Sequence, residues 1–130
     1  MLGIGNPGIL LVMNKKIRLL FRGAFAVCFL AVLYLALDPA PFIGGTDSDK
    51  VNHVLAFFTL GVLLRMGWPR YRLTLAIFSL VLLGGCIEIA QHFIGRDASF
   101  GDLGADAIGL LLSVAATSIF RMNPAATVPE

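Results

Sequence analysis

The sequence predicts an all-α protein, a four-helix transmembrane bundle with both termini on the cytoplasmic side. Three observations carry this. Of the 130 residues, 58% are hydrophobic and only 14% charged, far from the roughly half-apolar, quarter-charged soluble average. The apolar residues form four runs near the roughly 20 residues a membrane helix needs. Within each run they are continuous, whereas membrane β-strands give short alternating stretches. A water-soluble domain of this length keeps too much surface in contact with solvent to hide so much apolar sequence.

The first run is Leu19 to Leu37, and Lys15, Lys16, Arg18 and Arg22 stand before its uninterrupted part, Gly23 to Leu37. A basic flank before an apolar stretch is also the pattern of a signal peptide. Pro39 and Pro41 crowd the only small-residue stretch suited to cleavage, so an uncleaved span is expected. The second run is Val51 to Trp68, the third Leu73 to Ile94 and the fourth Leu103 to Phe120. Segments rich in Pro, Gly or charge, which end helices, separate them. The chain therefore divides into a loosely ordered segment 1–16, one helical domain over 17–121 and a loosely ordered tail 122–130. Cys28 and Cys86 lie inside apolar runs and read as packing residues.

Positive residues in short loops stay cytoplasmic. The N-terminal flank, the stretch with Arg65, Arg70 and Arg72, and the position after span four (Arg121) are the basic surfaces. The other two loops carry Asp38, Asp47, Asp49 and Lys50, and then Arg96, Asp97 and Asp102. They are expected on the extracytoplasmic side. Trp68 and Tyr71 read as aromatic-belt anchors and Arg65 as a snorkelling residue. The basic residues are dispersed in a way that follows this topology, and no nucleic-acid partner is indicated.

On this topology the remaining ionisable residues gather at the outer ends of spans two, three and four. Asp49 and His53, four apart, share one helical face, and Lys50 flanks it. Glu88, Gln91 and His92 fall within one arc of span three. A carboxylate one to two turns inside hydrocarbon costs roughly 2 to 3 kcal/mol unless it finds a partner or turns neutral, so Glu88 should face protein. Asp102 and Asp106 are again four apart, and their side continues as Ala105, Gly109, Ser113 and Thr117. Small residues at that spacing let membrane helices approach closely, which turns both aspartates into the bundle. Asp102 is expected to be the N-cap of the last helix. Arg96, in the Gly95–Gly101 loop, is the expected partner of the acids, with a planar fork that grips carboxylate or phosphate.

These residues are also the ones that resemble a known family. Asp49-Lys50-Val51-Asn52-His53, then Glu88-Ile89-Ala90-Gln91, then Arg96-Asp97-Ala98-Ser99-Phe100-Gly101-Asp102, match in order and spacing the linked motifs of the VanZ-like membrane proteins. The resemblance covers about half of the chain. It departs at Asp106, where an Asn is usual, at Ser113, where a second glycine is common, and in lacking a proline before Arg96. It implies a multi-pass protein of the bacterial inner membrane with an envelope role, since the founding member is associated with reduced susceptibility to the glycopeptide teicoplanin.

Several functions stay open at this level. A binding module would use Asp49, Lys50, Gln91, Arg96, Ser99, Asp102 and Asp106 to hold an anionic lipid, a cell-wall precursor or a glycopeptide, with Arg96 on the anion. An enzyme, a hydrolase or transferase on a lipid-linked substrate, would use His53 and Glu88 as its catalytic residues. His53 would then be the general base, oriented by Asp49 or by an acid from another span, with Arg96 stabilising a developing anion. The bland alternative is a polar plug that locks three helices together. A metal held by His53, Glu88, Asp102 and Asp106 has no recognised local spacing, so none is assigned. No cofactor is indicated. A transporter would require a homo-oligomer, and neither inverted repeats nor broken helices support one.

Overall fold

The computed structural model describes residues 13–38 and 46–122. The expectations for Pro39, Pro41, the first twelve residues and the tail beyond Met122 lie outside them. Four helices follow in order: α1 (Lys15–Leu37), α2 (Thr46–Gly67), α3 (Leu73–Phe93) and α4 (Phe100–Met122), with no strand among the described residues. The predicted runs recur with polar extensions: α1 begins at Lys15, inside the segment expected to be loose, and α4 at Phe100 rather than Leu103. Hydropathy marks only the apolar part of a helix. Polar residues at its ends keep helical geometry as long as the backbone is capped.

Helices α1, α3 and α4 are long and apolar enough to cross a membrane. Helix α2 does not reach that composition, because Lys50, His53 and Arg65 interrupt it. It does not need to, since α2 is the central helix and packs against all three others, most extensively against α4. The core joins Phe57 and Leu60 of α2 to Leu80 and Ile87 of α3 and Leu110 of α4. Large apolar side chains such as Leu30, Phe78, Phe93 and Ile119 point outward in numbers that suit lipid. This is a membrane protein.

Helix α1 has no buried residue. It leans on the core through one stripe, Phe25, Cys28, Phe29, Val32, Leu33 and Ala36, at the three- and four-residue spacing of a helix face. Helix α4 is the opposite case. Ala105, Gly109, Ser113 and Thr117 are all buried, as the small-residue stripe predicts. A Cβ at Gly109 would stand 2.9 Å from the Phe58 nitrogen and closer still to the Val54 carbonyl. The α2 and α4 backbones therefore touch there. One turn on, Gly61 of α2 receives Ser113, whose Oγ donates to the Leu110 carbonyl at 2.7 Å.

Arg65 departs from its expected role. It is buried, 6% exposed, in a small gap between Leu73, Ala76 and Ile77 of α3 and Leu110, Ser113 and Val114 of α4. Trp68 packs against α1. Its ring meets Phe25 edge-on at 5.5 Å, and the Arg22 guanidinium stands 5.1 Å above it while Nε donates to the Gly67 carbonyl at 2.9 Å.

Candidate functional site

At the opposite end from Trp68, the C-termini of α1 and α3 meet the N-termini of α2 and α4. The polar cluster forms there. Its centre is a bond between helices: His53 of α2 places Nδ1 2.8 Å from Oδ1 of Asp106 on α4. With the carboxylate as acceptor, Nδ1 carries the proton and Nε2 is the basic nitrogen. Asp106 is 1% exposed and Asp102, one turn nearer the helix start, 5%. Both aspartates thus face into the bundle as the stripe predicts. The acid that orients His53 is the one from another span and not Asp49, which lies on the flank. Asp49, His53 and Asp102 still bring ligand-type atoms within 4.8 Å of one another.

Glu88 reaches the same centre from α3. One atom each of His53, Glu88 and Asp106 also lie within 4.8 Å of one another. Both carboxylate oxygens of Glu88, and Oδ2 of Asp106, are buried without a hydrogen-bond partner. The Ser99 backbone approaches Glu88 without reaching hydrogen-bond geometry. Gly84, one turn before Glu88 on the same face of α3, makes room for Asp106. A Cβ there would come within 2.6 Å of Asp106 Oδ2 and 3.3 Å of the Phe57 ring. Burying an unmatched carboxylate oxygen is costly, and three of them share this spot.

Arg96 is not the partner of these acids. Its Nη1 donates to the carbonyls of Leu35 at 3.0 Å, Ala36 at 2.9 Å and Asp38 at 3.3 Å, which are among the last carbonyls of α1 and its C-cap. The local chain explains how it gets there. Gly95 adopts a left-handed φ of 77°, its N–H donates to His92 O and the Arg96 N–H to Gln91 O. This is a Schellman closure of α3, the arrangement in which glycine is preferred because no Cβ opposes it. It turns Arg96 sideways toward α1. Gln91, 3% exposed, adds its Nε2 to the Ala36 carbonyl at 3.0 Å. Its side chain thus bridges α3 to α1, and both residues satisfy α1 backbone that has no partner within its own helix.

The N-cap expectation is also corrected. Helix α4 starts at Phe100, and Ser99 Oγ accepts the Asp102 N–H at 3.2 Å. Ser99 is the cap and Asp102 stands at the third helical position, where a serine cap finds its donor. The hydroxyl–acid spacing from Ser99 to Asp102 is a sequence signature of that cap. Lys50 is exposed, its stem near Gly101 at the start of α4. His92 is exposed beside Phe93, away from the centre.

No family model, curated protein or solved structure matches the chain. An apolar groove of about 450 Å³ lined by Phe25, Phe29, Leu64, Trp68, Leu83 and Cys86 contains none of the clustered acids. What the cluster offers is small in scale: a basic nitrogen, an oriented imidazole and unmatched carboxylate oxygens within a few ångströms. It can hold a proton, a cation or one small polar group.

Proposed function

We propose that this chain is a VanZ-like protein of the bacterial inner membrane, with both termini in the cytoplasm. The end carrying His53, Glu88, Asp102 and Asp106 faces outward and engages a polar group of a cell-envelope or glycopeptide-type ligand. The observation that supports this is the His53–Asp106 bond set beside buried carboxylate oxygens that nothing in the described residues satisfies. A plug whose task is to lock helices gains from its polar atoms only when they are matched to one another. Polar groups left unmatched inside a membrane segment are expensive and mark function.

The occupation of Arg96 by α1 carbonyls changes the recognised chemistry. An anion grip by Arg96 no longer belongs to the proposal, and the acidic centre suits a cationic or hydrogen-bond-donating group of the ligand. Lys50 is the remaining cation near its rim.

The His53–Asp106 pair also favours a second reading, a hydrolase or transferase on a lipid-linked substrate with His53 as general base. A carboxylate on Nδ1 holds the imidazole in one tautomer and stabilises its protonated form, which is what a general base requires.

The test is growth of a host expressing wild type, His53→Gln or Asp106→Asn in the presence of teicoplanin, with membrane levels matched by blot. The proposal expects wild type to alter susceptibility and both variants to lose the effect. Equal susceptibility of all three strains at equal membrane levels would overturn it. Reporter fusions at the α3–α4 loop and at the C-terminus test the orientation.

A further inference from the structure

We infer that His53, Glu88 and Asp106 form a binding site for a divalent first-row metal ion, of the Zn²⁺ or Mn²⁺ class. Three independent features meet there. One imidazole nitrogen and one oxygen from each carboxylate come within 4.8 Å of one another, from three different helices. Ligands of a tetrahedral ion held at about 2.1 Å stand about 3.4 Å apart, so a bound ion takes the place of the Nδ1 proton and parts Nδ1 and Asp106 Oδ1 from their 2.8 Å bond to that spacing. Asp106, 99% buried on the complement of its 1% exposure, keeps Oδ2 without a partner. That oxygen lies against the α3 face that carries Gly84 and, one turn on, Glu88.

Charge completes the case. Around one imidazole stand Glu88, Asp106, Asp102 and Asp49, and Arg96, the arginine of the α3–α4 loop, is engaged with α1. Lys50 lies over Gly101 at the exposed rim. A divalent cation supplies both the missing positive charge and the missing partners for the carboxylate oxygens. One nitrogen with two carboxylate oxygens is a donor set for zinc, manganese or iron rather than for a soft ion. Three protein ligands leave a coordination position open, the arrangement of sites that act on a bound water or ligand. Asp49 and Asp102 flank the same imidazole and stand ready to accept from groups bound there.

The site uses the same residues as the envelope reading above without resting on it, and the two are tested apart. Loss of metal binding leaves an antibiotic phenotype of His53 untouched as evidence, and an unchanged phenotype leaves the metal titration untouched.

The experiment uses the full chain in detergent, its affinity tag removed, stripped with EDTA and dialysed against Zn²⁺, with bound metal counted by mass spectrometry. Wild type should retain one ion per chain. Glu88→Gln and Asp106→Asn should bind at least about tenfold more weakly, the lower end of what perturbing a metal's ligand environment costs. Gly84→Ala, which leaves every ligand in place but drives a methyl toward Asp106 Oδ2, should weaken binding as well. Co²⁺ titration gives a separate readout, a visible absorption band in wild type that Glu88→Gln lacks. Unfolding in EDTA checks folding: Glu88→Gln should melt no lower than wild type there, and added Zn²⁺ should raise the midpoint of wild type and not that of Glu88→Gln. Equal, substoichiometric metal in wild type and all variants, or a Zn²⁺ effect that survives in Glu88→Gln, overturns the site.

Discussion

Gly109→Ala tests how α2 and α4 are joined. The added methyl would lie 2.9 Å from the Phe58 nitrogen, 3.2 Å from Phe57 Cβ and against the Val54 carbonyl oxygen. Two of these neighbours are backbone, which no rotamer change moves. Carbon atoms rest at about 3.5–4.0 Å from their neighbours, so the helices must part by on the order of 1 Å. Overpacking of this kind costs about 1–3 kcal/mol, and alanine's better helix propensity returns about 0.5–1 kcal/mol. The net expectation is a loss of about 1–2 kcal/mol. Because Asp106 is one turn from Gly109, the His53–Asp106 bond should lengthen with it. Gly85→Ala is the comparator, since nothing lies within 4 Å of a Cβ there and only the propensity gain remains. Thermal unfolding of both variants in one detergent, followed by circular dichroism, should place Gly109→Ala below wild type and Gly85→Ala at or above it. Equal midpoints for the two variants would refute close backbone packing at this crossing.

Arg96→Gln removes charge-assisted bonds to the α1 carbonyls and should cost about 2 kcal/mol; faster proteolysis between α1 and α2 is the accompanying sign, and an unchanged cleavage rate would speak against the anchor. Ser99→Ala should destabilise by about 1 kcal/mol through loss of the α4 cap, and Ser99→Thr should restore most of it, as read by denaturant unfolding. Glu88→Gln, in EDTA, should unfold at or above the wild-type temperature, because it discharges a buried carboxylate whose oxygens have no hydrogen-bond partner. A large drop would reveal a partner for Glu88.

Much of this was legible in the sequence, for reasons that differ from residue to residue. The inward turn of Asp102 and Asp106 follows from the small-residue stripe they share, because helix periodicity alone places Ala105, Gly109, Ser113 and Thr117 on the same side. That the acids of three helices reach one end follows from hydrophobic length and polar position together. The partner of Arg96 was not legible. Sequence reading pairs side chains with side chains, and the acceptors here are the main-chain oxygens of Leu35, Ala36 and Asp38, which no residue type announces. The glycine at 95 was the one available signal, since a left-handed closure after α3 fixes where the next residue points. The choice of Asp106 over Asp49 for His53 was hidden as well. Spacing within α2 favours the local pair, and only the close approach of α4 at Gly109 brings the other acid to 2.8 Å. For the same reason the metal-type grouping has no spacing in the chain: its members come from three helices that local motifs do not connect.

The clasp of Arg96 on α1 has a consequence for assembly order. Ala36 and Arg96 are 60 positions apart, so α1 emerges during synthesis long before the side chain that satisfies its final carbonyls. Another tie, Arg22 to Gly67, spans 45 positions. With no buried residue of its own, α1 is held by these clasps on backbone carbonyls and by its one apolar stripe along the core. The polar end of the molecule takes its finished shape only when α3 has closed and Arg96 swings back to the first helix.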